Sequence, residues 1–135
     1  MSYPLTDIEG IDRETAALLK SVGIRSSNGL LEAARTSRAR KALAVETGLS
    51  EKQLLRWVNL ADCMRVRGIS REYADLLRAS GVDTVKALKY RNPAKLAEAM
   101  AATNRSRKLV HVLPSEKTVG RWIDHAKTLP PKITY

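Results

Sequence analysis

The chain has no phenylalanine, one cysteine, two histidines and only six aromatic side chains (two Trp, four Tyr) in 135 residues. A lone Cys63 excludes an intrachain disulfide, and the separated His111 and His125 leave no His/Cys zinc set. No uncharged apolar run approaches the roughly 20 residues that span a bilayer. Asp7 and Glu9 stand where a secretory signal needs a cationic and then an apolar stretch. Nothing resembles a P-loop, a nucleophile–base pair or a carboxylate metal cluster. The absences together predict a cytoplasmic chain with no metal, no cofactor, no membrane partner and no enzymatic activity. What is present, 44% hydrophobic and 28% charged residues, belongs to a folded chain rather than a disordered one. The length suits one domain burying about 70% of its unfolded surface.

Charge is the first positive signal. The formal net charge is +10, and it is unevenly distributed. Residues 1–65 hold 10 basic and 8 acidic side chains, whereas residues 66–135 hold 14 and 6. A basic half on a small chain attracts polyanions, nucleic acid foremost, or forms a solvated cationic surface.

The two halves are also related in sequence. Shifting residues 8–31 by 58 onto 66–89 gives nine identities in 24 positions, and shifting 50–64 by 65 onto 115–129 gives six in 15. The larger second shift places an insertion in the second copy, around Thr103–Lys108. The repeats run over 5–64 and 65–129, followed by a short tail, 130–135. A unit of about 60 residues buries too little surface to be comfortably stable alone. The expected fold is therefore one all-α domain, 1–135, with the copies packed on each other about a pseudo-twofold axis.

Ala, Leu, Lys, Arg and Glu dominate, and β-branched alternation is nearly absent, so each copy reads as helical. Asp12 is the expected N-cap of a helix reaching about Val22 and stopped by Gly23. A second helix follows Ser26 or Ser27 to about Ala34, and a third spans about Ser37 to Thr47, with Gly48 as its stop. Ser50-Glu51-Lys52-Gln53 is a capping-box pattern that opens a longer helix to Met64. In the second copy Gly81 is the stop, Asp83 or Thr84 the next cap, and Asn92-Pro93 a cap followed by an N1 proline. Leu18, Leu19, Trp57, Leu76, Leu77 and Trp122 are expected in a shared core. Cys63 reads as a small packing residue.

The repeated pattern runs Ile8…Gly10-Ile11…Ala16…Leu19…Gly23-Ile24 and again Val66…Gly68-Ile69…Ala74…Leu77…Gly81-Val82. It resembles the helix-hairpin-helix motif of non-specific DNA-binding proteins. Over nearly the whole chain, including Arg-Trp at 56–57 and 121–122, the sequence resembles the bacterial domain-of-unknown-function family 4332. That resemblance implies tandem helix-hairpin-helix units and DNA binding. The physics of such a hairpin is general. Glycine lets the chain turn tightly, so amides at the start of the next helix converge on an anion. Amides on phosphate read no bases.

The motif usually carries a second glycine after the apolar residue; here Asp12 and Ser70 stand in its place. The first hairpin, with Gly10, Ile11, Asp12 and Arg13, holds three acids and one base over residues 7–13 and reads as degenerate. The second, Arg65 to Arg71 with Gly68, Ile69 and Ser70, holds three arginines and no acid. It is the expected nucleic-acid contact, with Arg65, Arg67, Ser70 and Arg71 on phosphates; the alternative is a tight interhelical turn. Arg105, Arg107 and Lys108 form a secondary basic loop. The expected function is sequence-non-specific binding of nucleic acid, in the first instance duplex DNA. The alternative is a helical adaptor that docks an acidic protein or itself.

Overall fold

Side-chain caps divide the chain into helices. The computed structural model describes residues 2–135, and among these the chain forms eight α-helices and no strand. In chain order they are α1 Arg13–Ser21, α2 Ser27–Ala33, α3 Ser37–Thr47, α4 Glu51–Cys63, α5 Arg71–Ala79, α6 Val85–Lys89, α7 Pro93–Arg107 and α8 Glu116–Thr128. Asp12 Oδ1 accepts from the Thr15 amide at 2.8 Å, and Ser26, not Ser27, caps α2 through the Gly29 amide. Ser50 and Gln53 close a capping box at α4, Thr84 caps α6, Asn92 caps α7 ahead of Pro93, and Ser115 caps α8. Each cap supplies an acceptor for an amide that has no partner within its own helix.

Two long helices gather the others. Helix α4 lies against α2 and α3, α8 lies against α6 and α7, and α4 meets α6 to join the halves. Ile11 N–H donates to the Ile8 carbonyl and Ile69 N–H to that of Val66, both at 3.1 Å. Gly10 and Gly68 have φ of +94° and +93°, and a Cβ on either would sit 2.9 Å from the indole Nε1 of Trp57 or Trp122 respectively. Both tryptophans are buried, as are Leu19, Leu76 and Leu77. Along α8 the buried residues Val119, Trp122, Ile123 and Ala126 follow the i, i+3, i+4, i+7 spacing of one helix face. The end of α4 is different: every residue from Trp57 to Cys63 is buried, because neighbours cover it on several sides.

Two expectations fail. Leu18 is 36% exposed although its counterpart Leu76 is fully buried, so the copies do not present the same face to the same neighbours. The basic segment at 105–108 is not a loop. Arg105 and Arg107 lie in the last turn of α7, and Lys108 is its left-handed C-cap at φ 49°. Asn104 holds this end, accepting from the Leu109 and Val110 amides and donating to the Val110 carbonyl.

The tail is a strap that returns to the first half. Thr134 N–H donates to the Arg35 carbonyl, and the Tyr135 hydroxyl donates to Asn59 Oδ1. Arg40, 4% exposed, gives one guanidinium nitrogen to the Ala34 carbonyl and the other to Thr134 O at 2.6 Å. Removing residues 133–135 strips a buried cation of one acceptor. It should lower stability by about 2 kcal/mol in a urea titration.

The Gly–Trp contacts make a sharper prediction. Gly10→Ala and Gly68→Ala each combine a disfavoured positive φ with a methyl driven into a buried indole, and each should lose about 3 kcal/mol. At Gly23 nothing lies within 4 Å of a Cβ. Gly23→Ala should therefore lose only about 1 kcal/mol. Equal losses in chemical denaturation at Gly10 and Gly23 would show that the indole yields freely.

Candidate nucleic-acid interface

The second hairpin joins the buried end of α4 to α5. Ile69 is buried beneath it, while Arg67, Gly68, Ser70 and Arg71 are exposed. Ser70 is the N-cap of α5 and has nearly the backbone conformation of Asp12, yet its side chain makes no cap hydrogen bond. Every other α-helix of the described residues has a side-chain cap. The first turn of α5 thus lacks the acceptor that Asp12 supplies to α1. At the first hairpin, hydrogen bonding from the Thr15 backbone holds the Asp12 carboxyl below its ordinary value, so a full negative charge occupies the helix end. Arg13 follows it, exposed.

The arginines are not equivalent. Arg65 is bound to Asp62 at 2.6 Å, with both side chains largely buried, and it also reaches the Pro130 carbonyl. Its role is structural. Arg71 lies 3.6 Å from Glu9 of the first hairpin and donates to the Thr6 carbonyl, while its side chain stays 52% exposed. The two hairpins are neighbours, and an acid of the first tempers the field of the second. The count of three arginines and no acid along residues 65–71 therefore overstates the local charge. Arg67 is the exposed cation of the group; its own amide donates to His125 Nδ1 at 2.9 Å.

That bond brings in residues that linear reading missed. Arg67, His125 and Lys132 line a shallow depression beside the hairpin, together with Arg65, Asn28 and Glu32. Glu32 is paired with Lys132. Arg105, Arg107 and Lys108 are exposed at the end of α7 and line neither this depression nor the one between α6 and the tail. Cys63 is buried, and burial, with Asp62 adding to it, pushes its thiol up to about 12, which suits a packing role. Among the described residues, no three His, Cys, Asp or Glu side chains converge as a metal site, and no helix is long and apolar enough to cross a membrane.

Beside the hairpins, Asp75 of α5 is half-buried and its carboxyl is pushed up to about 6. Desolvation is the main cause and Glu9 the second, opposed by Arg71, Arg78 and Arg56. Residues 9–129 match the family described as a domain of unknown function (DUF4332), and the chain belongs to that family. No curated protein and no solved structure matches the chain.

The Asp75 carboxyl yields a pH dependence. Its folded value lies above the ordinary 3.8, so the ionised form is disfavoured by folding. That penalty is present in full above pH 6 and is relieved as pH falls from about 6 toward 4. Allowing for solvent screening, Asp75→Asn should add about 1 kcal/mol at pH 7 and flatten the stability profile between those values, read by denaturation across pH.

Proposed function

We propose that this chain is a non-enzymatic nucleic-acid-binding module. In this reading it consists of two helix-hairpin-helix units packed about a pseudo-twofold axis, and the second unit grips duplex phosphate. One observation carries the reading: α5 is the helix without a side-chain cap, and its open end lies at Arg67, Ser70 and Arg71. Amides of a first helical turn that lack an acceptor, at the positive end of the helix dipole, suit a phosphate oxygen. The Ser70 hydroxyl is available to donate to the same group. In the first unit the Asp12 carboxylate already occupies the equivalent place, so that hairpin is sealed by its own anion. The basic excess of the second half supports the same choice of polyanion. Contacts of this kind bind without base preference.

A second reading, an adaptor for a protein partner, is favoured by the Glu9 and Asp62 carboxylates beside two of the three hairpin arginines. It would be selected by undetectable binding of the wild-type chain to DNA and RNA at low salt.

Charge reversal discriminates the hairpins. Arg67→Glu with Arg71→Glu should weaken binding to a blunt duplex strongly, and each lost phosphate contact should reduce the log–log salt slope by about 0.9. Asp12→Gly should leave binding unchanged or strengthen it, with a small loss of stability for the altered cap. Equal losses from neutralising either hairpin, in anisotropy titrations over a range of salt, would remove the asymmetry from the mechanism.

A further inference from the structure

We propose that single-stranded nucleic acid lies along a basic track running from the second hairpin to Tyr90, with one base stacked on the exposed Tyr90 ring. The proposal rests on the nucleic-acid reading above and adds an unpaired strand leading away from the duplex phosphate held at the hairpin.

The track is a succession of surface depressions that share walls. Arg65, Leu129 and Lys132 belong both to the depression holding Arg67 and His125 and to the next one, between α6 and the tail. Lys86 and Lys89 line that second depression, and Lys89 recurs in a third beside Tyr90, Arg91 and Lys127. Two acids line the whole path, Glu32 and Asp62, and each is tied to a cation of the path, Lys132 and Arg65 respectively. Among the described residues no carboxylate lies within ion-pair distance of Arg67, Lys86, Lys89, Arg91 or Lys127. A row of unpaired cations at successive depressions matches a repeating phosphate backbone better than a single anion.

Tyr90 decides the form of that backbone. It is 75% exposed at the end of α6, and its ring meets the Lys89 ammonium 5.6 Å from the centroid. Four of the other aromatic side chains are buried or packed against the core. Trp57 and Trp122 are buried, Tyr73 packs on Trp122 with its hydroxyl on the Val112 carbonyl, and Tyr3 is half-buried against the core. Tyr135 is 68% exposed and lines the second depression, but its hydroxyl is tied to Asn59, whereas among the described residues the Tyr90 hydroxyl has no hydrogen-bond partner. An exposed aromatic face among cations offers stacking to a base whose own face is open. Bases inside a duplex already stack on their neighbours, so an unpaired strand fits this surface.

The experiment compares a twelve-nucleotide oligothymidine with a blunt duplex by fluorescence anisotropy across salt concentrations, using the full chain. Tyr90→Ala should weaken oligothymidine binding about tenfold with no change in salt slope, as loss of one stacked base requires. Tyr90→Phe should bind like the wild type. Lys86→Gln with Lys89→Gln should reduce the single-strand slope by about 1.4, roughly 0.7 for each phosphate contact. The blunt duplex should not respond to Tyr90→Ala. The proposal is overturned if wild type fails to bind oligothymidine at low salt, if Tyr90→Ala binds it like wild type, or if Tyr90→Phe is as weak as Tyr90→Ala. The hairpin reading fails separately, if Arg67→Glu with Arg71→Glu leaves duplex binding unchanged while the Tyr90 effect on oligothymidine persists.

Discussion

The contact between a glycine and a tryptophan edge fixes how each half of this chain is assembled. At Gly10 and Gly68 the backbone turns at positive φ, and the space a side chain would fill is taken by the indole of Trp57 or Trp122. Each tryptophan comes from the long helix that closes its own half, about 50 residues further along. The hairpin is thereby pinned to α4 in one half and to α8 in the other, and the apolar residue after each glycine, Ile11 or Ile69, is driven into the core. Because a buried indole has little freedom to move in a close-packed interior, the direction of the helix after the hairpin is set by this contact. The cationic loop of the second half owes its position to the same seat.

Much of the fold is legible in the sequence because it depends on near neighbours. A cap residue acts on an amide three positions away, so Asp12, Ser26, Ser50, Thr84, Asn92 and Ser115 announce helix starts directly. The burial of Trp57 and Trp122 follows from their apolar neighbours at helical spacing. What fails depends on how the halves meet. Leu18 and Leu76 occupy equivalent places, but only Leu76 is covered, since α1 and α5 have different neighbours. The end of α7 misled for another reason. Asn104 supplies acceptors and a donor that let a polar, arginine-rich segment finish as a helical turn.

The candidate interface was the least legible part, for the same physical reason. Counting charges along residues 65–71 gives a strongly cationic hairpin, but Arg71 meets Glu9 from 62 positions away, and Arg65 is held by Asp62 one helical turn back. The Asp62–Arg65 spacing of i, i+3 near the end of α4 was open to reading; the Arg71–Glu9 pair was not. Nor does linear sequence reveal that the tail brings Lys132 beside Arg67, or that Tyr90 remains uncovered.

One part of the asymmetry between the hairpins lies at Asp12 and Ser70. Asp12 and Ser70 have nearly the same φ and ψ, so the backbone is the same where these two side chains differ. A carboxylate there satisfies the helix end and fixes a negative charge on it. A serine that makes no cap bond leaves the end open and neutral. Stability favours the first arrangement by the worth of a cap. The uncapped end lies in the half with the larger basic excess, close to an exposed Arg67. One helix start is thus closed by its own carboxylate, while at the other the capping side chain makes no bond.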